Sequence, residues 1–185
     1  MDALTLLKSD HDTIRQLFSE FREAEEARDV ERMGELAHTI STELQIHTAI
    51  EEEVFYPEAE KVGREVEKLV KEGIEEHHVV DVLLSELRAL QPRDDEFAAK
   101  MTVLIENVEH HAEEEEEELF PQLRQVFGDE RLQRMGEALQ QAKQRHERES
   151  KTKDELYEQA RQQDVKGRSS MTKDQLGDAV GPSSG

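Results

Sequence analysis

The sequence of 185 residues predicts an all-α protein: an antiparallel up-down-up-down four-helix bundle, followed by an extra C-terminal helix and a short helical appendage. Three observations predict this fold. Apolar residues recur at spacings of three and four, the interruptions between periodic segments are short, and the second pair of segments repeats the first. Short connections force consecutive helices to run antiparallel.

The first helix carries Leu7, Ile14, Leu17, Phe18 and Phe21 on one stripe, and the second carries Leu36, Ile40, Leu44, Ile50 and Val54. The third shows Val66, Leu69, Val70, Ile74, Val80, Leu83, Leu84 and Leu87, and the fourth Met101, Leu104, Ile105 and Val108. Breaks fall near Arg28 to Val30, at Lys61 to Gly63, and at Gln91 to Asp95 around Pro92. These segments make residues 1–128 the bundle. A fifth helix is expected at roughly Glu130 to Glu149, within an additional helix or linker spanning 129–150, and its Gln, Arg and Glu content predicts weak packing or projection. Residues 151–180 read as a short helix, a turn at Lys166 to Ser170 and a second helix capped by Thr172 with Asp174 and Gln175 following. The final GPSSG, 181–185, reads as a flexible tail.

Composition narrows the function. There are 45 acidic and 24 basic side chains, and six of each lie from Lys151 onward, so the net charge of −21 belongs to residues 1–150. Such a surface repels phosphate backbones and anionic lipid and attracts cations, which makes nucleic acid and membrane poor partners for the bundle. No apolar stretch approaches a membrane span and the N-terminus lacks the features of a secretion signal, so a cytoplasmic location is expected. With no cysteine, any metal must be held by nitrogen and oxygen.

Four of the eight histidines fall at one depth. Taking the turns at about 29, 62 and 93, His11 and His47 each lie 18 residues from the first turn, His47 and His77 each 15 from the second, and His77 and His111 16 and 18 from the third. Equal spacing from a hairpin turn means equal height, because every helix rises about 1.5 Å per residue. All four also lie toward the apolar side: Ile14, Leu17, Phe18 and Phe21 follow His11 at the same offsets at which Val80, Leu83, Leu84 and Leu87 follow His77. His111 continues the line of Leu104 and Val108, whereas His110 is turned about 100° away and His78 fails the same offset test. His38 and His146 read as surface residues.

The halves also repeat. "DHDTIRQLFSEF" at 10–21 answers "EHHVVDVLLSEL" at 76–87, and "HTAIEEEVFYP" at 47–57 answers "HAEEEEEELFP" at 111–121. In each second element a histidine is followed four residues later by a glutamate, Glu51 or Glu115, on the same helix face, so that each pair is placed to close on one cation. Of the run Glu113 to Glu118, Glu115 is expected to point inward, Glu116 to flank the site and most others to face water. Pro57 and Pro121 lack an N–H and crowd the carbonyls of Glu53 and Glu117, so the helix is expected to loosen just beyond the ligands.

The pattern H…HxxxE…H…HxxxE, with "EEEVFYP" and "EEEELFP" after the paired residues, resembles the hemerythrin-like, or HHE cation-binding, family over about residues 4–127. The resemblance implies a four-helix bundle holding two non-haem iron ions through an oxo or hydroxo bridge, with Mn or Zn the lesser alternatives, and a place for O₂ or a related oxidant. The ligands it implies are His11, His47, Glu51, His77, His111 and Glu115, with the two glutamates bridging. The chain departs from the oxygen-carrying hemerythrins of marine invertebrates in two places. Their third helix has HxxxH, where here Asp81 follows His77, and their fourth has HxxxxD, where here the pair is HxxxE. A more oxygen-rich pair of irons suits redox chemistry or sensing better than reversible carriage.

The expected function is therefore a di-iron protein that binds, senses or reacts with O₂, peroxide or nitric oxide in an oxidative or nitrosative stress response, with peroxide consumption as an enzymatic option. An iron-availability sensor or store, and a metal-free helical interaction module, are the alternatives. Residues 153–180 resemble, weakly, the helix-loop-helix of SAP-like and Rho N-terminal-like segments, and are expected to be a mobile appendage or to dock a protein partner rather than nucleic acid. Tyr56 reads first as core, and as a phenol that could donate a hydrogen bond to the metal centre.

Overall fold

The computed structural model describes residues 1–168 and 171–180, with the side chains of all of these except 148, 151, 152, 174 and 178. Every regular element among them is helical. Two compact units result, Met1–Lys143 and Gln144–Gly185.

In the first unit, α1 (Ala3–Glu26) begins where Asp2 accepts a hydrogen bond from the Thr5 amide at 2.8 Å. It ends at a tight turn in which Arg28 adopts a positive φ of 55°. Asp29 then caps α2 (Val30–Ile50) through the Arg32 amide. A five-residue π turn, Glu51–Phe55, carries α2 into the short α3 (Tyr56–Ala59) and a 3₁₀ turn, Glu60–Val62. Gly63, at φ 157° and ψ 173°, breaks the chain in a region of backbone space that a side chain would block, and α4 (Arg64–Leu87) follows. After α5 (Asp95–Glu114) a second π turn, Glu115–Leu119, leads to α6 (Phe120–Val126). α1 packs on α2 and α5, and α4 on α5 and α2, closing a four-membered ring in the up-down-up-down order.

The core is split in two. Ile14, Phe18, Phe21, Leu36, Ile40, Leu44, Val80, Leu84, Met101 and Leu104 fill the end near the α1–α2 turn. Leu7, Ile50, Phe55, Tyr56, Val70, Leu119, Phe120 and Leu123 fill the other. Between these layers lie the four histidines, because Leu7 and Ile14, Leu44 and Ile50, Val70 and Val80, and Val108 and Leu119 bracket them in the chain. Ile74 departs from the expected stripe and is exposed.

Helix α7 (Asp129–Gln162) is longer than the expected Glu130 to Glu149, and its first part does not project. Leu132, Met135, Leu139 and Ala142 are buried against Ala3, Leu4, Leu6 and Leu7. These residues follow one another at three, four and three, so a complete apolar stripe lies hidden among the Gln and Arg. A side chain at Gly136 would come within 2.4 Å of the Met1 carbonyl oxygen, which makes glycine the residue that lets the two backbones meet.

In the second unit α7 continues to Gln162, and the chain turns through Asp164 (φ 53°) and Gly167 (φ 76°) before α8 (Lys173–Val180). Thr172 and Gln175 form a reciprocal capping box, at 3.2 and 2.8 Å, that starts α8. Among the described residues of this unit Ala160 and Leu176 are fully buried. The expected break near residue 150 is absent, since the helix runs through it. The tail 181–185, the Ser169–Ser170 end of the expected turn and the side chain of Asp174 lie outside the described residues.

Candidate metal centre

Between the two apolar layers, His11 comes from α1, His47 from α2, His77 from α4 and His111 from α5, while Glu51 and Glu115 begin the two π turns. None of the six is more than 5% exposed. The structure thus brings all six expected residues to one level. Two overlapping donor sets result: His11, His47, Glu51 and Glu115, and Glu51, His77 and His111, with the donor atoms of each set within 4.8 Å of one another.

His11 Nε2 and His47 Nε2 are 3.1 Å apart, and His77 Nε2 and His111 Nε2 3.2 Å. Two nitrogens each about 2.0–2.1 Å from one ion lie roughly 3 Å apart, so both pairs have the spacing of ligands to a shared cation. Glu51 Oε2 lies 3.3 Å from His47 Nε2, 3.2 Å from His77 Nε2 and 4.0 Å from His111 Nε2, which makes this carboxylate the link between the sets. The expected HxxxE pairing holds for His47 with Glu51. It differs in the second half, where Glu115 Oε2 reaches across to His11 Nε2 at 3.5 Å and Oε1 takes the Tyr56 hydroxyl at 3.0 Å.

Each π turn is the local device that delivers its glutamate. The amides of Tyr56 and Phe120 donate five residues back, to the carbonyls of Glu51 and Glu115. Pro57 and Pro121 have no N–H to continue the regular ladder, and the widened turn takes up the extra residue. The expected loosening is thus a π turn beginning at the inward glutamate.

Around the six lies a ring of carboxylates that reading of the sequence missed, apart from Glu116. His11 Nδ1 faces Glu116 at 3.0 Å, His77 Nδ1 faces Glu52 at 2.9 Å and His111 Nδ1 faces Glu76 at 2.7 Å. His47 Nδ1 lies 4.0 Å from Asp10 Oδ2, and Asp10 also takes Lys143 at 2.6 Å. A carboxylate on Nδ1 fixes the proton there and leaves Nε2 bare toward the centre. The pattern obeys the duplication: the acid just before each solitary histidine (Asp10, Glu76) serves the HxxxE histidine of its own half, and the acid just after each inward glutamate (Glu52, Glu116) serves the solitary histidine of the other half. The signal was present in the sequence as DH, EH and the doubled EE. His78, His110 and His38 are exposed, and His146 half-buried.

The electrostatics of the six follow from burial and from the neighbouring charges. Burial, and then the neighbouring imidazoles, lower His47 well below its ordinary value, and burial with His111 lowers His77. Burial opposes the charged form of His111 too, but its bond to Glu76 outweighs this and raises it. Burial also works against the Glu115 carboxylate, yet His11 and His111 bring it down to about 2, whereas burial and the adjacent Glu115 push Glu51 well up. Both Glu51 oxygens, Glu115 Oε2 and His47 Nδ1 are buried without hydrogen-bond partners. A cation coordinated by the glutamate oxygens would satisfy these three oxygens, so the residues fit a metal.

Comparison with known proteins agrees with this geometry. A hemerythrin-like protein of Schizosaccharomyces pombe is 25% identical over 130 residues, covering 70% of this chain and 64% of that protein. A DNA nickase of a Nostoc species is 26% identical over 143 residues, covering 77% of this chain and 39% of that protein. The chain thus spans less than two thirds of the length of either curated relative. A crystal structure of a hemerythrin HHE cation-binding domain-containing protein from Mycobacterium kansasii superposes with a TM-score of 0.70 at 25% identity, covering 92% of this chain and 96% of that one. The hemerythrin HHE cation-binding domain matches residues 2–123, and the chain belongs to that family.

Proposed function

We propose that the six buried residues hold two non-haem iron ions and that the pair binds, senses or reacts with O₂, peroxide or nitric oxide. The observation that carries the reading is the sharing of Glu51 between two donor sets, which suits two ions side by side. Mixed imidazole and carboxylate donors favour iron over softer metals, although they also suit Mn and Zn. When bound, iron supplies redox chemistry and coordination positions for a small oxidant.

The chain's own groups have definable tasks. Glu52, Glu76 and Glu116 orient the imidazoles. Tyr56, buried and held as a neutral phenol by burial and by Glu115, donates to Glu115 and lies 3.4 Å from His77 Nε2. Phe120 stacks along His11 with ring centroids 6.0 Å apart, and Phe55 packs on Phe120, so the α1 side is screened from water.

The test is metal analysis with an absorption spectrum of the purified protein, then peroxide turnover by the iron form. Iron at two per chain, with turnover lost in Glu115→Ala, supports the reading. An iron form inert to peroxide, O₂ and nitric oxide overturns the reactive part. An iron sensor or store would use the same ligands without turnover, and the separate compact unit 144–185 gives that reading a surface for a protein partner to read. The nickase activity of the Nostoc relative is not carried over: the likeness covers 39% of that protein, and a net charge of −21 repels DNA. Among the described residues no helix is long and apolar enough to cross a membrane.

A further inference from the structure

Two depressions lie near the centre, and they differ in chemistry. The larger, about 420 Å³, lies between α1 and α6 and is lined by Leu4, Lys8, Glu116, Phe120 and Arg124 among others. None of the six donors lines it. The Phe120 ring covers His11 on this side, Glu116 is already bound by Lys8 and Arg15, and Arg124 is paired with Asp2.

The smaller is a slot beside Gly73, with free space of about 10 Å³, room for a single water-sized species. His111 and Glu115 line it directly, together with Tyr56, and all three are buried. Glu115 Oε2 has no hydrogen-bond partner. At the partly exposed end stand Glu76 and Glu114, whose side chains are 22% and 34% accessible. With His110 they place three donor atoms within 4.8 Å of one another. Glu76 takes His111 Nδ1 and Glu114 faces His110, and among the described residues no lysine or arginine pairs with either glutamate.

Gly73 keeps the slot open. It sits inside the 24-residue α4, where glycine is a weaker helix former than alanine. A Cβ there would lie 2.8 Å from Tyr56 Oη and 3.4 Å from His111 Cε1. The missing side chain thus makes room for the phenol at Glu115 and for a passage beside His111.

We propose that a divalent cation reaches the buried centre through the Gly73 slot, collected by the Glu76, His110 and Glu114 rim and passed to His111 and Glu115. The route presupposes the metal centre proposed above. An acidic mouth raises the local concentration of cations and their rate of arrival, an effect that salt screens.

The test follows Co(II) uptake by the metal-free full-length chain at low salt in a stopped-flow spectrometer, through the growth of the Co(II) absorption. Glu114→Lys with His110→Ala should slow uptake about tenfold or more, the scale of electrostatic steering, and leave the final cobalt-to-protein ratio unchanged. Gly73→Val should slow it further by plugging the slot. Thr5→Trp, which fills the larger groove, and Glu26→Lys, a charge reversal at the far end of α1, should load at the wild-type rate. Equal rates for wild type and the rim variant overturn the route, even if Gly73→Val proves too distorted to fold. Slowing by Thr5→Trp alone also overturns it and assigns access to the larger groove. A wild-type chain that takes up no cobalt removes the metal centre itself, and the route with it.

Discussion

Removing the metal should cost the bundle much of its stability, and the structure sets the scale. Both Glu51 oxygens and Glu115 Oε2 are three buried polar atoms at the centre without hydrogen-bond partners. Each such group costs about 1–3 kcal/mol, hence about 3–9 kcal/mol for the three by the same rule. A whole domain is stable by only about 5–15 kcal/mol. For a chain of this size 1 kcal/mol moves the melting temperature by about 2–4 °C, so satisfying the lower figure corresponds to about 6–12 °C.

The assay is calorimetry of the chelator-stripped full-length chain against the same chain loaded with Zn(II), chosen because it has no redox chemistry. Glu51→Leu supplies the converse. Glu51 is completely buried, so an apolar replacement should raise the melting temperature of the metal-free protein and abolish the zinc-dependent rise. A shift below about 2 °C with two equivalents of zinc bound would refute the reasoning, because the stability gain would then be smaller than one unsatisfied group costs. So would a metal-free Glu51→Leu protein that melts lower than the metal-free wild type.

Other consequences are independent of that experiment. Glu52→Ala removes the partner of His77 Nδ1 and should weaken metal binding about 10- to 100-fold, measured by competition with a chromophoric chelator. Tyr56→Phe takes away the donor to Glu115 Oε1 without changing the packing; the iron form should show an altered absorption spectrum while its helix content by circular dichroism stays the same. Asp2 caps α1 and takes Arg124 from α6; burial opposes its charge, but the Thr5 amide and Arg124 outweigh this and lower its carboxyl below 3.8. Its contribution is therefore complete above the ordinary carboxylate range and disappears as pH falls through the lowered folded value, so the stability gap between wild type and Asp2→Ala, about 0.5–2 kcal/mol at neutral pH, should close in acid. Gly136→Val should destabilise the protein by about 1–3 kcal/mol in denaturant titration, since its Cβ would meet the backbone of Met1 to Ala3.

The residues that were hard to read in the sequence share a cause. His11, His47, His77 and His111 were legible because depth in an antiparallel bundle follows from counting to the turns, and an imidazole on an apolar stripe stands out. Glu51 and Glu115 followed from the i,i+4 spacing to a histidine. Glu116 could be placed at the edge of the site, but Glu52, Glu76 and Asp10 look like any solvated acid. Each role depends on which way the carboxylate turns, which periodicity does not give, and for Glu52 also on the π turn, since a period of 3.6 cannot anticipate an inserted residue.

Helix α7 was misjudged for another reason: its composition was weighed ahead of its spacing. Leu132, Met135, Leu139 and Ala142 form a full stripe, and Gly136 within it marks a close backbone approach. Docking of this helix also bears on the site. Lys143, at the end of the first compact unit, holds Asp10, and Asp10 in turn lies beside His47 Nδ1. The helix that composition suggested would project therefore braces one of the four imidazoles from outside. Gly136→Val should then weaken metal binding as well as lower stability, with the loss confined to the His11–His47 half of the centre.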